Sequence, residues 1–163
     1  MSRRPIIRQT AWVSIIPQLI VFAVLIALFY LTTNDLRLSV LLCCITYLIL
    51  SRGSKGIVLR HHRKGMLCVR SNDYATAAAH FENSFDLLRK YPAFDKFRYI
   101  LLLDSSYIPY TEMALINLAY CSIKLEQIDK AKQYYHKALE LFPDSEIAKE
   151  ALSSIENIES SDK

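Results

Sequence analysis

Residues 112–145 read EMALINLAYCSIKLEQIDKAKQYYHKALELFPDS, and this stretch decides the fold. In its second half, apolar or small residues recur at steps of three, four, three and four: Ile128, Ala131, Tyr135, Ala138 and Phe142. This spacing is typical of the apolar stripe of an α-helix that packs against a neighbour. Because Pro143 cannot continue a helix interior, it marks the end of that helix.

A second copy of the pattern lies 54 residues earlier in the chain. A shift of that length places five residues onto the stripe: Tyr74, Ala77, Phe81, Ser84 and Leu88. The same shift places Gly65 onto Ala119, and both residues are small enough to let two helices approach closely. The sequence therefore predicts two related units, each a pair of helices.

The second unit resembles the tetratricopeptide repeat, a helix–turn–helix unit of about 34 residues. The residues that carry this resemblance are Leu115, Leu118, Ala119, Ile128, Ala131, Tyr135, Ala138 and Pro143. The first unit departs from the pattern, because His61 and Lys64 stand where the second has Leu115 and Leu118. The resemblance implies an all-α chain with a short α-solenoid, its repeats at about residues 58–91 and 112–145.

An insert at residues 92–111 separates the two units. Pro92 should end the preceding helix, and apolar residues then recur at helical spacing, which predicts a short extra helix followed by a loop at 104–110. The apolar strip 97–103 inside the insert has two interpretations: it fills the core between the repeats, or it is an exposed docking surface.

A final helix is predicted over residues 144–158, with Asp144 or Ser145 as its N-cap. Its apolar residues lie on one side, as expected of a helix that covers the end of a repeat array. Residues 159–163 are predicted to be a frayed tail. The whole TPR-like domain is thus expected to span 58–158.

The N-terminal part of the chain predicts a membrane anchor at residues 1–51. The 26 residues from Gln9 to Asn34 carry no charge, and about residues 12–31 are long enough to span a bilayer. A cleaved signal peptide would have a shorter apolar core and a small-residue cleavage site. A second span is predicted at about 36–50, with a re-entrant or surface helix as the alternative. A basic linker at 52–57, containing Gly53 and Gly56, is predicted to be a flexible joint.

The distribution of charge predicts the topology. Residues 1–70 contain ten Lys or Arg and one acid, Asp35, and nearly all the basic residues flank the two apolar segments. Flanks rich in Lys and Arg stay in the cytoplasm, so we expect a two-pass membrane protein with its N-terminus and TPR-like domain on the cytoplasmic side. The basic stretch Arg52–Lys64 could in addition hold anionic lipid head groups.

No sequence motif for catalysis, for a cofactor or for a metal is recognisable. The four cysteines form no C-x-x-C pair, and the histidines lack neighbouring acids at ligand spacing. Residues 71–163 have ten basic and fifteen acidic residues, which argues against a nucleic-acid surface. We therefore expect no enzyme activity, no cofactor and no nucleic-acid partner.

Together with the predicted membrane anchor, the resemblance implies an adaptor that binds a protein in a groove lined by the first helices of its repeats. The residues placed in that groove are Leu59, His62, Met66, Val69, Arg70, Met113, Ile116, Tyr120, Ile123 and Lys124. The alternative is a structural or regulatory subunit of a membrane transporter or enzyme complex, with the hairpin as the binding element. Two repeats are few for a stable array, so something must complete the repeat domain. The candidates are the insert together with the last helix, a second copy of the chain in a homo-oligomer, or a partner.

Overall fold

The computed structural model of the chain describes residues 15–102 and 106–161, and every secondary-structure element within them is a helix. These helices are α1 (Ile15–Thr33), α2 (Leu36–Val58), α3 (Arg60–Arg70), α4 (Tyr74–Lys90), α5 (Ala93–Lys96), α6 (Arg98–Leu101), α7 (Tyr110–Lys124), α8 (Ile128–Leu141) and α9 (Glu146–Ser161). The predicted all-α class is confirmed. The chain divides into two compact units.

The first unit contains the helical hairpin of α1 and α2. The chain reverses at Asn34, which adopts a left-handed backbone with φ 53°. The Asp35 carboxylate then accepts a hydrogen bond of 2.8 Å from the backbone N–H of Arg37 and so caps α2. Further along the pair, the rings of Phe22 and Tyr47 meet edge to face at 5.8 Å, which fixes the two helices as antiparallel neighbours.

Both helices of the hairpin are long and apolar enough to cross a membrane. The two segments that meet this criterion are Ile15–Thr33, with 19 residues, and Leu36–Gly53, with 18. No residue of α1 is buried, so α1 is not the core helix of a globular unit within the part of the chain that the structure describes. The predicted first span began near residue 12, and residues 12–14 lie outside the described residues.

The prediction of a flexible basic linker is wrong, because α2 continues without a break through residues 52–57 to Val58. A glycine costs roughly 1 kcal/mol in a helix interior, but extending an existing helix adds one hydrogen bond for each residue. Two glycines are therefore too few to end a helix that the preceding apolar residues have already formed. A Cβ added at Gly53 or Gly56 would meet no atom within 4 Å.

The second unit comprises residues 59–92 and 108–163, of which the structure describes those up to 161. Its helices stack in order: α4 packs against both α3 and α7, α7 packs against α8, and α8 packs against α9. Residues 93–107 of the insert do not belong to this unit, although the predicted domain included them. The predicted single extra helix is instead two short helices, α5 and α6, and residues 93–107 group with the hairpin, where α6 packs against α1.

The apolar stripes lie in the core of this second unit, as their periodicity predicts. Seven of the ten stripe residues are buried, with at most 5% of any of them exposed: Ala77, Phe81, Ser84, Leu88, Ala131, Tyr135 and Ala138. The other three, Tyr74, Ile128 and Phe142, are half-buried. The turns of the two helix pairs also correspond. Asn72 and Glu126, which are 54 residues apart, both have a left-handed backbone, with φ 60° and 61°.

The last helix begins where the sequence places it. The Ser145 hydroxyl accepts a hydrogen bond of 3.3 Å from the backbone N–H of Ala148 and thereby caps α9. Three residues of α9 are buried, Ala148, Leu152 and Ile155, and α9 packs against α8. The predicted frayed tail is helical as far as Ser161, because α9 continues to that residue, and residues 162–163 lie outside the described part.

Gly65 allows the closest approach between α3 and α4. A Cβ at Gly65 would lie 2.8 to 2.9 Å from three ring atoms of Phe81, a fully buried side chain. We predict that Gly65→Ala lowers the free energy of unfolding by about 1–3 kcal/mol, because the Phe81 ring must shift within a packed core. Urea denaturation of the full chain in detergent, followed by circular dichroism, measures this change.

Gly56→Ala is the matched control for this substitution. It adds the same methyl group to a helical glycine with open space around it, so stability should be unchanged or should rise by about 0.5–1 kcal/mol. Equal stability of the Gly65→Ala and Gly56→Ala proteins would contradict the close packing of α3 on α4.

Candidate partner-binding surface

The predicted groove lies on α3 and α7, the first helices of the two repeats. Two of its ten predicted residues are buried: Leu59, just before α3, is 4% exposed, and His62 is 8% exposed. A side chain buried to this extent cannot contact a partner while the unit stays folded. The prediction is therefore wrong for these two residues, and for the other eight it remains a prediction.

His62 is part of the core because aromatic rings enclose it. Its imidazole meets the ring of Phe81 at 5.4 Å and the ring of Tyr110 at 5.6 Å, both edge to face. Since α4 carries Phe81 and α7 carries Tyr110, His62 lies where three helices meet. The spacing alone placed His62 on the groove side of α3, and it could not show that Tyr110 would cover it.

The other eight predicted residues differ in their exposure. Val69, Ile116, Tyr120 and Ile123 are partly buried and pack against the core of the unit. Met113 is half-buried, whereas Met66, Arg70 and Lys124 are exposed. Apolar side chains thus remain partly accessible on both helices, and each helix has an exposed basic residue near its C-terminal end.

Tyr120 is the centre of the best-defined cluster on this surface. Its ring meets that of Tyr74 edge to face at 6.2 Å, and the Lys124 ammonium lies 5.7 Å from the centre of the Tyr120 ring. The Tyr74 hydroxyl donates a hydrogen bond of 2.9 Å to the Asn72 side chain. These contacts hold the Tyr120 ring in place while part of it stays accessible, which is a favourable state for an anchor residue.

Sequence reasoning assigned Tyr74 to the core stripe and missed its place beside Tyr120. Tyr74 is the first residue of α4, and α4 packs between α3 and α7. The start of α4, the second helix of the first repeat, is therefore next to α7, the first helix of the second repeat. The signal that could have identified Tyr74 is its position at the end of the stripe, where an aromatic ring extends beyond the core.

Burial shifts the pKa values of two ionisable side chains of this unit, Cys121 and His61. Burial raises the pKa of the Cys121 thiol to about 11, so at neutral pH Cys121 is an inert thiol. The pKa of His61 is lowered by burial and by the nearby charges of His80, Arg60 and Lys64. Among the described residues, no group of three or more His, Cys, Asp or Glu side chains could hold a metal ion.

The stacked helix pairs and the accessible face of their first helices define a helical-repeat protein of the kind that binds other proteins. Comparison with family models supports this class: residues 113–145 match the model described as tetratricopeptide repeat. Residues 113–145 are therefore a tetratricopeptide repeat, and the match coincides with the second predicted repeat to within one residue. No curated protein and no solved structure matched the chain.

His62 makes the stability of the repeats depend on pH. Burial lowers its pKa from 6.5 to about 4, so the unfolded chain takes up a proton below pH 6.5 while the folded chain does not. The stabilisation by neutral His62 is complete above pH 6.5 and is lost as the pH falls towards 4. We predict that this loss is about 2–3 kcal/mol between pH 7 and 4.5.

His62→Phe should remove this part of the pH dependence, because a phenyl ring can keep the contacts with Phe81 and Tyr110 without titrating. Urea unfolding of the full chain in detergent at several pH values measures the slope. The exposed His136 provides the control, and His136→Phe should keep the wild-type slope. An unchanged slope in the His62→Phe protein would show that His62 is not buried as described.

Proposed function

We propose that this chain is a two-pass membrane protein that uses its tetratricopeptide repeats as an adaptor for a protein partner on the cytoplasmic side. The observation that carries the proposal is the repeat match at residues 113–145 together with the accessible cluster at Tyr120. Repeats of this kind recognise peptides or helices through a surface lined by successive first helices. The hairpin would attach the repeats to the membrane.

The composition of α1 and α2 supports the anchor. Their large apolar side chains point outwards, with Leu31 76% exposed and Ile49 66% exposed, and such surfaces are unfavourable in water. The exposed basic residues Arg52, Arg60 and Arg63 follow the second apolar segment, where they would favour the cytoplasmic side and could contact anionic head groups.

The accessible surface favours a partner segment with apolar and acidic residues. Ile116, Tyr120 and Ile123 provide apolar contact, whereas Arg70 and Lys124 are exposed basic side chains. The apolar members should supply most of the affinity, and the basic members should steer the approach of an acidic segment.

We predict that Tyr120→Ala weakens partner capture by about 1–2 kcal/mol, because the variant loses the ring that would fill a pocket on the partner. The partner is first identified by in-membrane cross-linking of the wild-type chain, and its affinity for each variant is then measured on the full chain in detergent. Tyr134→Ala is the matched control, since Tyr134 is also a half-buried tyrosine packed on the core but lies on α8.

Tyr134→Ala should reduce stability about as much as Tyr120→Ala and leave the affinity unchanged. Full-strength capture of the partner by a folded Tyr120→Ala protein would refute the assignment of Tyr120 to a binding groove.

Exchange of residues 1–51 for an unrelated two-span anchor tests the alternative function, a subunit of a membrane complex, in the same assay. An adaptor keeps its partner after this exchange, whereas a subunit that binds through its hairpin loses it.

A further inference from the structure

The insert is a small structural element of its own, next to the hairpin. Residues 93–107 belong to the same compact unit as α1 and α2, and α6 packs against α1. The insert is therefore not part of the series of repeats, and it packs against a helix that exposes large apolar side chains along its length. Neither the repeat pattern nor the proposed adaptor role explains this arrangement.

Arg98 holds the insert in a defined shape. Its guanidinium donates hydrogen bonds of 3.0 Å to the carbonyl oxygen of Ser106, 2.8 Å to that of Tyr107 and 3.0 Å to that of Asp95. It also donates a hydrogen bond to the hydroxyl of Tyr99 and lies 4.6 Å from the centre of that ring. Because these bonds join both ends of the insert, the side chains on its surface have fixed positions.

The surface that Arg98 supports is apolar and aromatic. Four large side chains of the insert are between 42% and 59% exposed: Phe97, Ile100, Leu101 and Tyr107. The Lys96 ammonium lies 5.6 Å from the centre of the Phe97 ring, and the one acid in the described part of the insert, Asp95, is buried. Aromatic rings accompanied by lysine are typical of side chains at a membrane interface.

We propose that the insert lies in the head-group region of the bilayer beside α1, with Phe97, Ile100, Leu101 and Tyr107 in contact with lipid. The proposal rests on the proposed membrane anchor. Lipid is the occupant favoured by continuity, because the apolar surface of the insert is next to a helix whose own apolar side chains are exposed along its length. Interfacial elements bury their apolar side chains about 5–10 Å deep, at the boundary of head groups and acyl chains.

Tryptophan fluorescence in proteoliposomes tests this placement. The chain has one tryptophan, so Trp12→Phe provides a background in which a single new tryptophan reports its surroundings. Phe97→Trp and Tyr107→Trp probe the insert, Val24→Trp probes the exposed face of α1, and Leu141→Trp probes an exposed apolar position of the repeats. The probes are phosphatidylcholine vesicles brominated either close to the head group or deep in the acyl chains.

The Phe97→Trp and Tyr107→Trp proteins should show blue-shifted emission and quenching at least about twofold stronger by shallow than by deep bromines. The Val24→Trp protein should be quenched by bromines in the acyl chains, and the Leu141→Trp protein by neither lipid. Since Phe97 and Tyr107 are both half exposed, two independent positions guard against a variant that disturbs the insert, and circular dichroism confirms that each variant is folded.

Two results would overturn the inference. In the first, neither insert variant is quenched while the Val24→Trp protein is quenched. The anchor would then still lie in the membrane, but the insert would not. If that unquenched emission is also blue-shifted, a protein surface covers the insert instead of lipid. Absence of quenching in the Val24→Trp protein as well would refute the membrane anchor itself, and the inference would fail with it.

Discussion

The exposed apolar surface of α1 and α2 is the constraint on which the rest of this protein depends. Each large aliphatic side chain that stays in water forgoes roughly 1.5–3 kcal/mol relative to burial. Within the described part of the chain α1 packs against α2 and α6, and no residue of α1 is buried. In the proposed function lipid covers this surface, and the basic residues after the second apolar segment agree with that proposal.

Much of the repeat fold follows from local patterns in the sequence. The stripes with steps of three and four predict which faces of α4 and α8 are buried, and Pro143 and Ser145 mark the boundary between α8 and α9. The match of Gly65 with Ala119 predicts a close approach of two helices, and the Phe81 ring occupies the space that a Cβ at Gly65 would need. These features are predictable because each is indicated by the spacing or the type of residues within a single helix or at its end.

The features that sequence reasoning missed depend on contacts between distant segments. The burial of His62 requires Tyr110 from α7, 48 residues later in the chain, and no pattern around His62 indicates that partner. The helical state of residues 52–57 depends on the helix that precedes them, which outweighs the low helix propensity of Gly53 and Gly56. The insert packs on α1 through a contact of the same long-range kind. For the candidate site, the sequence predicted Tyr120, which remains a prediction, but did not indicate the contact of its ring with that of Tyr74.

The proposed function assigns separate tasks to the two units: the hairpin fixes the location of the protein, and the repeats provide the surface that recognises a partner. The direct test is the topology of the full chain, using reporters fused after Lys163 and inserted at Asn34. The account predicts that the reporter after Lys163 is cytoplasmic and that the one at Asn34 is on the opposite side of the membrane. A C-terminal reporter outside the cytoplasm would contradict both the two-span hairpin and the cytoplasmic adaptor role.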